Sequence, residues 1–425
     1  MITRPEAGDA SPSDTGWVRR YVTTRETTLS FAAPLSPEDC AIQSLPDASP
    51  VKWHLAHTTW FFETFVLTPH VSEYCVFDAH FRVLFNSYYV GVGERPPRSE
   101  RGLLSRPSLE EVLAYRRHVD SAMYGALERG QLGPDALALV ELGLNHEQQH
   151  QELLLTDVKH LLSRNPLAPV YSSAWPLTSV RATTATWRAF EGGLREIGHT
   201  GAGFAFDNEG PRHRVWLEPF ELSSVLVTHG DFLAFVEDRG YERPELWLSA
   251  GWDAVQSRGW NAPLYWSKHA GEWRTFTLHG DVAIDPATPI CHVSFFEAEA
   301  FARWKGARMP TESEWEVAAH SVPIAGNLLE SRALHPLAAR GDFAAGELSQ
   351  VFGDVWEWTR SDYAPYPGFA PAAGAVAEYN GKFMCNQYVL RGGSCATPVS
   401  HIRASYRNFF APDARWQFSG LRLAR

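Results

Sequence analysis

Apolar residues recur at helical spacing in four long segments of the first 165 residues. Proline, serine and glycine bound these segments, as is usual at helix ends. The predicted helices run from Thr15 to Ser30, Val51 to about Leu67, Ser108 to Gly130 and Pro134 to about Ser163. Four helices with apolar faces and no strand pattern predict an antiparallel four-helix bundle.

Two of the helix starts carry recognisable capping residues. Ser49 is predicted to cap the second helix, with Pro50 at its first position. Ser108 and Glu111 form the pattern of a capping box at the start of the third helix.

The pattern changes after residue 166. Residues 166–186 are rich in Pro, Ser, Thr and Ala, which predicts a linker. From Trp187 onward, short alternating runs with many glycines and tryptophans predict short strands and loops. Three short helices are predicted there: Asp231 towards Arg239 with Gly240 as its end, Ser294 to Trp304, and Glu312 to about His320. The predicted fold is therefore two-domain α+β, with a helical bundle over 15–166 and an irregular α+β domain over 187–425.

Length, charge and cysteine usage narrow the class of protein. A chain of 425 residues exceeds one ordinary hydrophobic core, which agrees with two domains. The net charge of -11, without a Lys/Arg-rich run, argues against nucleic acid or an anionic membrane as a partner. No signal peptide and no apolar stretch of about 18 residues is visible. Five scattered cysteines predict reduced thiols and a cytoplasmic protein.

Two histidines, His146 and His150, lie four residues apart on the predicted fourth helix. This spacing puts both imidazoles on one face, where they can bind one metal ion. The segment also matches the zinc-peptidase pattern H-E-x-x-H, with Glu147 as general base. Leu153 and Thr156 stand where one peptidase class needs glycine and histidine, and no downstream glutamate follows in 166–190, so a peptidase is disfavoured. A solvated histidine pair is the alternative without chemistry.

The second predicted helix offers a third imidazole. It carries both His54 and His57, and His57 shares a face with Trp53 and Trp60. Alone, His57 would be interpreted as a core histidine; with the other pair in the same bundle, a three-histidine metal site is favoured. Imidazole suits Zn, Cu, Fe and Ni about equally, so the ligands do not choose the metal.

Three loop segments add candidates for substrate binding and proton transfer. Tyr88 and Tyr89 are either packing aromatics or proton donors. The cluster of Arg95, Arg98 and Arg101 is either solvated or able to pair with a substrate carboxylate. The segment 403–412 is predicted to be exposed; its aromatics can hold a quaternary ammonium group by cation–π attraction or can pack on their own domain.

These motifs together resemble one enzyme family. Residues 53–63, 85–89 and 146–152 resemble the DinB-like domain of the ergothioneine-biosynthesis sulfoxide synthases, the EgtB family. The second half resembles that family's formylglycine-generating-enzyme-like domain, which is related to C-type lectins. The matching pieces there are 293–300, 308–316, 353–358 and 390–394.

The resemblance implies a mononuclear non-haem Fe(II) enzyme that uses O2 to join a thiol to C2 of the imidazole of hercynine and makes a sulfoxide. It implies iron ligation by His57, His146 and His150, and it favours His57 over His54 as the first ligand. By the same resemblance Gln149 lies near the imidazole substrate, Tyr88 and Tyr89 match a catalytic tyrosine pair, and Asn408 contacts hercynine, with Phe409 and Phe410 beside it.

Two departures from the family pattern refine the expectation. Some members have an acidic residue that helps hold γ-glutamylcysteine where this chain has Phe410. Because a phenyl ring cannot pair with an ammonium group, cysteine is favoured as the thiol, with Arg95, Arg98 or Arg101 on its carboxylate. Cys385 and Cys395 do not match the copper-binding cysteines of formylglycine-generating enzymes, so the second domain is interpreted as a scaffold.

Three alternatives remain open. An ovothiol-type enzyme would couple histidine itself at C5, but its usual extra methyltransferase domain is absent. A DinB-like thiol transferase would use the same three histidines with Zn and without O2. A sugar-binding protein is suggested by the lectin-like half alone. The oligomeric state is not predicted.

Overall fold

The chain forms two compact units in a computed structural model that describes residues 14–173, 183–339, 347–371 and 380–425. The first unit comprises the chain up to Ser87 and Gly93–Leu154, and the second comprises Tyr88–Val92 and Leu155–Arg425. The predicted two-domain α+β class is confirmed. The predicted boundaries at 166 and 187 stay a prediction, and residues 174–182 of the predicted linker lie outside the described ranges.

The first unit is helical. Its helices are α1 Asp14–Ala32, α2 Val51–Phe62, the single turns α3 Thr68–His70 and α4 Phe81–Leu84, α5 Leu109–Glu128 and α6 Pro134–Ser163. The four long helices are the predicted bundle. Helix α2 continues as a π-helix over Glu63–Leu67 into α3, so it ends one turn later than predicted. Pro69 is the second residue of α3, directly after the π-helix, where the hydrogen-bonding pattern of the helix changes.

One predicted helix cap is present and the other is wrong. The Ser108 side chain accepts the N–H of Glu111, and the Glu111 carboxylate accepts the N–H of Ser108. Helix α2 instead has Pro50 at its cap position, with no side-chain bond. The Ser49 hydroxyl is engaged elsewhere, because it accepts a hydrogen bond from Nη1 of Arg101 at 2.9 Å.

Helix α2 is the central helix of the bundle, since all twelve of its residues are buried. A helix buried on every face has no solvated stripe, so its polar side chains need internal partners. Its last turn adds Trp60, Phe61 and Phe62 to the core of the unit.

The second unit combines short helices with small sheets. Its helices are α7 His229–Glu237, α8 Ser249–Arg258, α9 Phe295–Trp304 and α10 Glu312–Ala319. Its strands are β1 Trp187–Phe190, β2 Gly193–Ile197, β3 His213–Leu217, β4 Phe220–Ser223, β5 Trp266–His269, β6 Glu272–Thr277, β7 Gly280–Ala283, β8 Trp356–Asp362, β9 Tyr388–Arg391, β10 Asn408–Phe410 and β11 Ser419–Gly420. None of the helices in the described ranges has the length and apolar character needed to cross a bilayer.

The strands pair into four sheets. Strands β1 and β4 pair antiparallel, as do β2 and β3, and β5–β6–β7 form a meander. The largest sheet has the order β10–β9–β8–β11, in which β11 runs parallel to β8. In this sheet Asn408 lies opposite Leu390. The candidate residues at 408–410 therefore lie on a strand at the edge of the sheet.

The predicted helices of this unit were found, with one wrong end and one omission. Ser294 and Thr311 both form complete capping boxes, and the pattern of each box is present in the sequence as Ser294 with Glu297 and Thr311 with Glu314. Helix α7 is followed by a left-handed residue at Arg239, with φ of 59°, and not at Gly240. Gly240 is needed for space, because a Cβ atom there would lie 2.1 Å from the Phe235 ring. Helix α8 was not predicted.

Candidate metal centre

Three histidines from two helices converge in the first unit. His57 lies on α2, and His146 and His150 lie one turn apart on α6. Their candidate ligand atoms all lie within 4.8 Å of one another, and all three residues are buried. Within the described ranges this is the one group of three or more His, Cys, Asp or Glu side chains close enough to hold a metal ion. The pairing of His57 with the helical pair follows the sequence prediction.

The ring of His57 is held on three sides. It is stacked between Trp53, at 4.5 Å between ring centroids, and Trp60, at 5.4 Å. Its Nδ1 lies 2.6 Å from the carbonyl oxygen of Phe85. A carbonyl can only accept, so Nδ1 carries the proton and Nε2 has a free lone pair.

The Nε2 atom of His57 is buried and has no hydrogen-bond partner among the described residues. Buried polar atoms are normally paired, so an orphaned imidazole nitrogen calls for an explanation. A metal ion bound by its lone pair would supply one. The donor set also fits a metal, because three imidazoles suit a borderline divalent ion and leave coordination positions for other molecules.

The protonation state of the three rings suits ligation. Burial lowers the pKa of His57 and of His150 well below the ordinary value, and lowers that of His146 to about 3. The neighbouring imidazoles act in the same direction on His57 and His150. The rings are therefore neutral near pH 7, as metal ligation requires.

Glu147, the next residue after His146, is bonded to side chains of other helices and not to the three histidines. Its carboxylate is fully buried and accepts hydrogen bonds from Arg116 at 2.6 Å, Thr28 at 2.7 Å and Arg25 at 2.8 Å. Burial alone would raise the pKa of Glu147, but Arg116 and Arg25 outweigh burial and lower it to about 2. A carboxylate so engaged is a poor general base, which argues against the peptidase alternative.

The three candidate arginines have different surroundings. Arg95 and Arg98 are exposed, and Arg98 donates to the backbone carbonyl of Asp47. Arg101 is buried; it donates to Ser87 Oγ at 2.8 Å, and its guanidinium lies 3.4 Å from the centroid of the Trp53 ring.

Arg101 is thus separated from the His57 ring by a single indole, that of Trp53. A small opening, with room for little more than one water molecule, lies beside this stack, and its lining includes the basic side chains of Lys52, Arg101 and Arg106. Gln149 is half-buried on α6, next to His150. These residues are the polar candidates that the first unit gathers around its histidines.

The remaining candidates belong to the second unit. Tyr88 is half-buried and Tyr89 is buried, with 4.6 Å between their ring centroids. Phe383, which sequence reasoning missed, contacts the Tyr88 ring edge-on at 5.3 Å and the Phe409 ring at 5.9 Å. Phe383 lies in no motif, so its position next to these rings could not be predicted from local pattern. The two predicted loop segments, 88–89 and 408–410, are thereby linked through one aromatic ring.

The prediction that the segment 403–412 is exposed was wrong in part. Arg407 is 2% exposed and pairs with Glu312, and Arg403 is half-buried and pairs with Glu209. Both arginines pair with glutamates distant in sequence, which local composition cannot reveal. Asn408 and Phe410 are half-buried, and Phe409 stacks on Tyr363 at 4.0 Å.

Both halves of the chain match known protein families. Residues 20–154 match the DinB superfamily, and residues 177–342 and 331–425 match the sulfatase-modifying factor enzyme 1-like domain. The hercynine oxygenase of Mycolicibacterium thermoresistibile is 32% identical over 98% of this chain and 96% of its own length. The chain belongs to the hercynine oxygenase family. The family member of Mycobacterium tuberculosis is 37% identical over 66% of this chain and 70% of its own length.

The second half also has relatives outside the hercynine oxygenases. The formylglycine-generating enzyme of Streptomyces coelicolor is 28% identical over 53% of this chain and 83% of its own length. In this chain Cys385 is exposed and Cys395 is buried, and all five cysteines are free thiols. The two cysteines thus differ in environment.

Proposed function

We propose that this protein is an O2-dependent sulfoxide synthase that joins a thiol to C2 of the imidazole of hercynine in ergothioneine biosynthesis, with Fe(II) as its metal. The observation that carries the proposal is the cluster of three buried, neutral imidazoles from α2 and α6, in a chain that belongs to the hercynine oxygenase family. A cytoplasmic location is part of the proposal and is supported by the five free thiols.

His57, His146 and His150 hold the iron through one ring nitrogen each. Bound there, Fe(II) would supply the activation of O2 and would favour the thiolate form of the thiol substrate. The protein residues bring the two organic substrates together, so that their coupling becomes an effectively unimolecular process. In the net reaction, the S–H and C2–H bonds are replaced by an S–C2 bond, and O2 supplies one oxygen atom to the sulfoxide and one to a water molecule that carries both hydrogens. Gln149, on the same helix as two of the ligands, is proposed to orient the imidazole of hercynine.

Asn408 of strand β10 is proposed to contact hercynine, as the family resemblance implies. The Oδ1 atom of Asn408 accepts the N–H of Phe409 at 2.9 Å, so its Nδ2 hydrogens are the ones that can donate to the hercynine carboxylate. Phe409 and Phe410 are half-buried aromatic rings and suit the trimethylammonium group.

A phenol is proposed to donate the proton that directs oxidation towards the sulfoxide. Tyr88 and Tyr89 are the candidates, and the proton would leave from the Oη atom. The half-buried position of Tyr88 is compatible with access to a substrate, whereas Tyr89 is 0% exposed. Phenylalanine at each position in turn separates their contributions.

Cysteine is the proposed thiol, in preference to γ-glutamylcysteine. The support is Phe410, whose ring carries no negative charge and so cannot form an ion pair with the ammonium of a γ-glutamyl group. Arg101 is the proposed carboxylate partner, because it is buried and lies against the Trp53 ring that stacks on His57. Arg95 and Arg98 are exposed and are weaker candidates. Steady-state kinetics with both thiols test the choice, and a strong preference for γ-glutamylcysteine would refute it.

The function is tested by an aerobic assay with Fe(II), hercynine and cysteine, with mass spectrometry of the product. We expect the coupled sulfoxide in air and no product without O2. His57→Ala is the inactive control, and His118→Ala is the matched control, since it removes a histidine of the same unit whose Nε2 atom lies 2.8 Å from the Cys75 carbonyl oxygen, outside the three-histidine cluster. Coupling that persists without O2 would instead indicate a thiol transferase.

A further inference from the structure

A fourth buried histidine contacts the three-histidine cluster without belonging to it. His54 lies on α2, three residues before His57, and is 2% exposed. Its Nδ1 atom lies 2.8 Å from the Nδ1 atom of His150, with the two ring centroids 5.1 Å apart. His54 is therefore bonded to one of the candidate ligands from the side.

A hydrogen bond between two imidazole nitrogens fixes which ring carries the proton. One nitrogen must donate and the other must accept, because a hydrogen bond needs one N–H and one lone pair. With Nδ1 of His150 engaged by His54, only Nε2 of His150 is left for a metal. To bind through its lone pair, Nε2 must carry no proton, so the His150 proton resides on Nδ1 and is donated to His54.

We infer that His54 is a positioning residue that accepts the Nδ1 proton of His150, fixes the tautomer and orientation of that ring, and so presents Nε2 to the metal. The inference rests on the proposed metal centre. Partners of this kind orient metal-binding histidines, and their loss commonly weakens metal affinity by about 10- to 100-fold. His54 then acts on His150 as the Phe85 carbonyl acts on His57. Each accepts the Nδ1 proton of a ligand histidine and leaves its Nε2 atom for the metal.

His54 does not itself complete the ligand set. The cluster of ligand atoms within 4.8 Å comprises His57, His146 and His150, without His54. The Nδ1 atom of His54 is engaged by His150, and its ring lies edge-on to the Trp53 ring at 5.9 Å. The ring is thus fixed by packing in the position of an acceptor.

The test compares two substitutions that differ in one property. His54→Asn keeps an acceptor near the position of Nδ1, whereas His54→Leu keeps most of the volume without any acceptor. Co(II) is the probe, and its affinity is measured by competition with a chromophoric chelator, together with its visible absorption spectrum and the stability of the metal-free protein. If the leucine variant fails to fold, His54→Ala takes its place in the comparison with His54→Asn. His118→Ala is the control.

We expect His54→Leu to weaken Co(II) binding by about 10- to 100-fold and to alter the Co(II) spectrum. His54→Asn should restore most of the affinity, and His118→Ala should bind as the wild type does. Wild-type affinity in His54→Leu, or an equal loss in the leucine and asparagine variants, overturns the positioning role. Absence of Co(II) binding by the wild type, or binding that survives His57→Ala, overturns the metal centre itself and the inference with it.

Discussion

Both units pair buried carboxylates with arginines, and they differ in that the first unit also buries a cluster of imidazoles. In the second unit, buried carboxylates pair with arginines: Glu357 with Arg422 at 3.0 Å, and Glu312 with Arg407 at 2.9 Å. In the first unit, three buried imidazoles lie against one another, and Nε2 of His57 has no partner within the described ranges. Paired groups hold a fold together, whereas an unpaired lone pair is available to a ligand.

The same contrast separates two neighbouring residues. His146 belongs to the cluster of imidazoles, and Glu147, one residue on, is bonded to Arg25, Arg116 and Thr28. Because consecutive residues on a helix point about 100° apart, they face different sides of α6. This segment therefore matches the peptidase motif in sequence only. His146 belongs to the candidate metal site, whereas Glu147 holds the helices of the bundle together.

The largest effect is expected from removing a ligand. His57→Ala should abolish metal binding and reduce coupling activity below detection, because two imidazoles remain where three are needed. The metal-free protein should keep its helical content. Metal content after loading with Fe(II), circular dichroism and activity are measured together. Stoichiometric iron in the variant would contradict the assignment of His57 as a metal ligand.

Glu147→Gln should act on stability. It leaves Arg25 and Arg116 buried beside a neutral amide, and breaking a buried ion pair costs about 3–5 kcal/mol of unfolding free energy. Denaturant unfolding of the metal-free protein measures this cost. Glu141→Gln, which breaks the exposed pair with Arg20, is the control and should cost about 0–1 kcal/mol.

A different outcome for Glu147→Gln would give Glu147 a role in the reaction. If Glu147→Gln left stability intact and removed activity, Glu147 would be a proton acceptor, and the assignment of a structural role would be wrong.

Lys159 is a buried charged residue of the second unit that forms no ion pair with a carboxylate in the described part of the chain. Its Nζ atom instead donates to Nε2 of His292 at 2.7 Å. Burial lowers the pKa of Lys159 to about 8. The unfolded chain then binds more protons than the folded one between about pH 8 and the ordinary lysine pKa of about 10.4, so stability contributed at this site rises with pH in that window.

Lys159→Met should remove this dependence. The unfolding free energy of the wild type minus that of the variant should rise by at most about 3 kcal/mol between pH 7.5 and 10.5. Lys305→Met removes the same charge at a more exposed position and is the control. A difference that stays flat across the window would mean that Lys159 is charged throughout at little cost.

The sequence predicted what depends on local pattern. The four bundle helices, the capping boxes at Ser108, Ser294 and Thr311, and the i, i+4 histidine pair are each encoded within a short stretch of sequence, and the family resemblance selected His57 over His54. The cap at Ser49 was wrong because its hydroxyl is bonded to Arg101, 52 residues away.

Long-range polar partners could not be predicted. Arg25 bonds Glu147 across 122 positions, and no spacing rule relates them. The bond between His54 and His150 spans 96 positions, and it gives a role to the histidine that the resemblance had set aside. Sequence pattern identifies side chains that face a core, but which of them meet depends on how the helices pack.

The most direct test of the central claim is anomalous diffraction at the iron edge from crystals loaded with Fe(II) without O2. The account predicts one strong peak bound by a ring nitrogen each of His57, His146 and His150, with Nε2 as the His57 and His150 ligand atoms and His54 bonded to His150 behind it. A peak elsewhere in the chain, or one bound by His54 in place of His57, would contradict it.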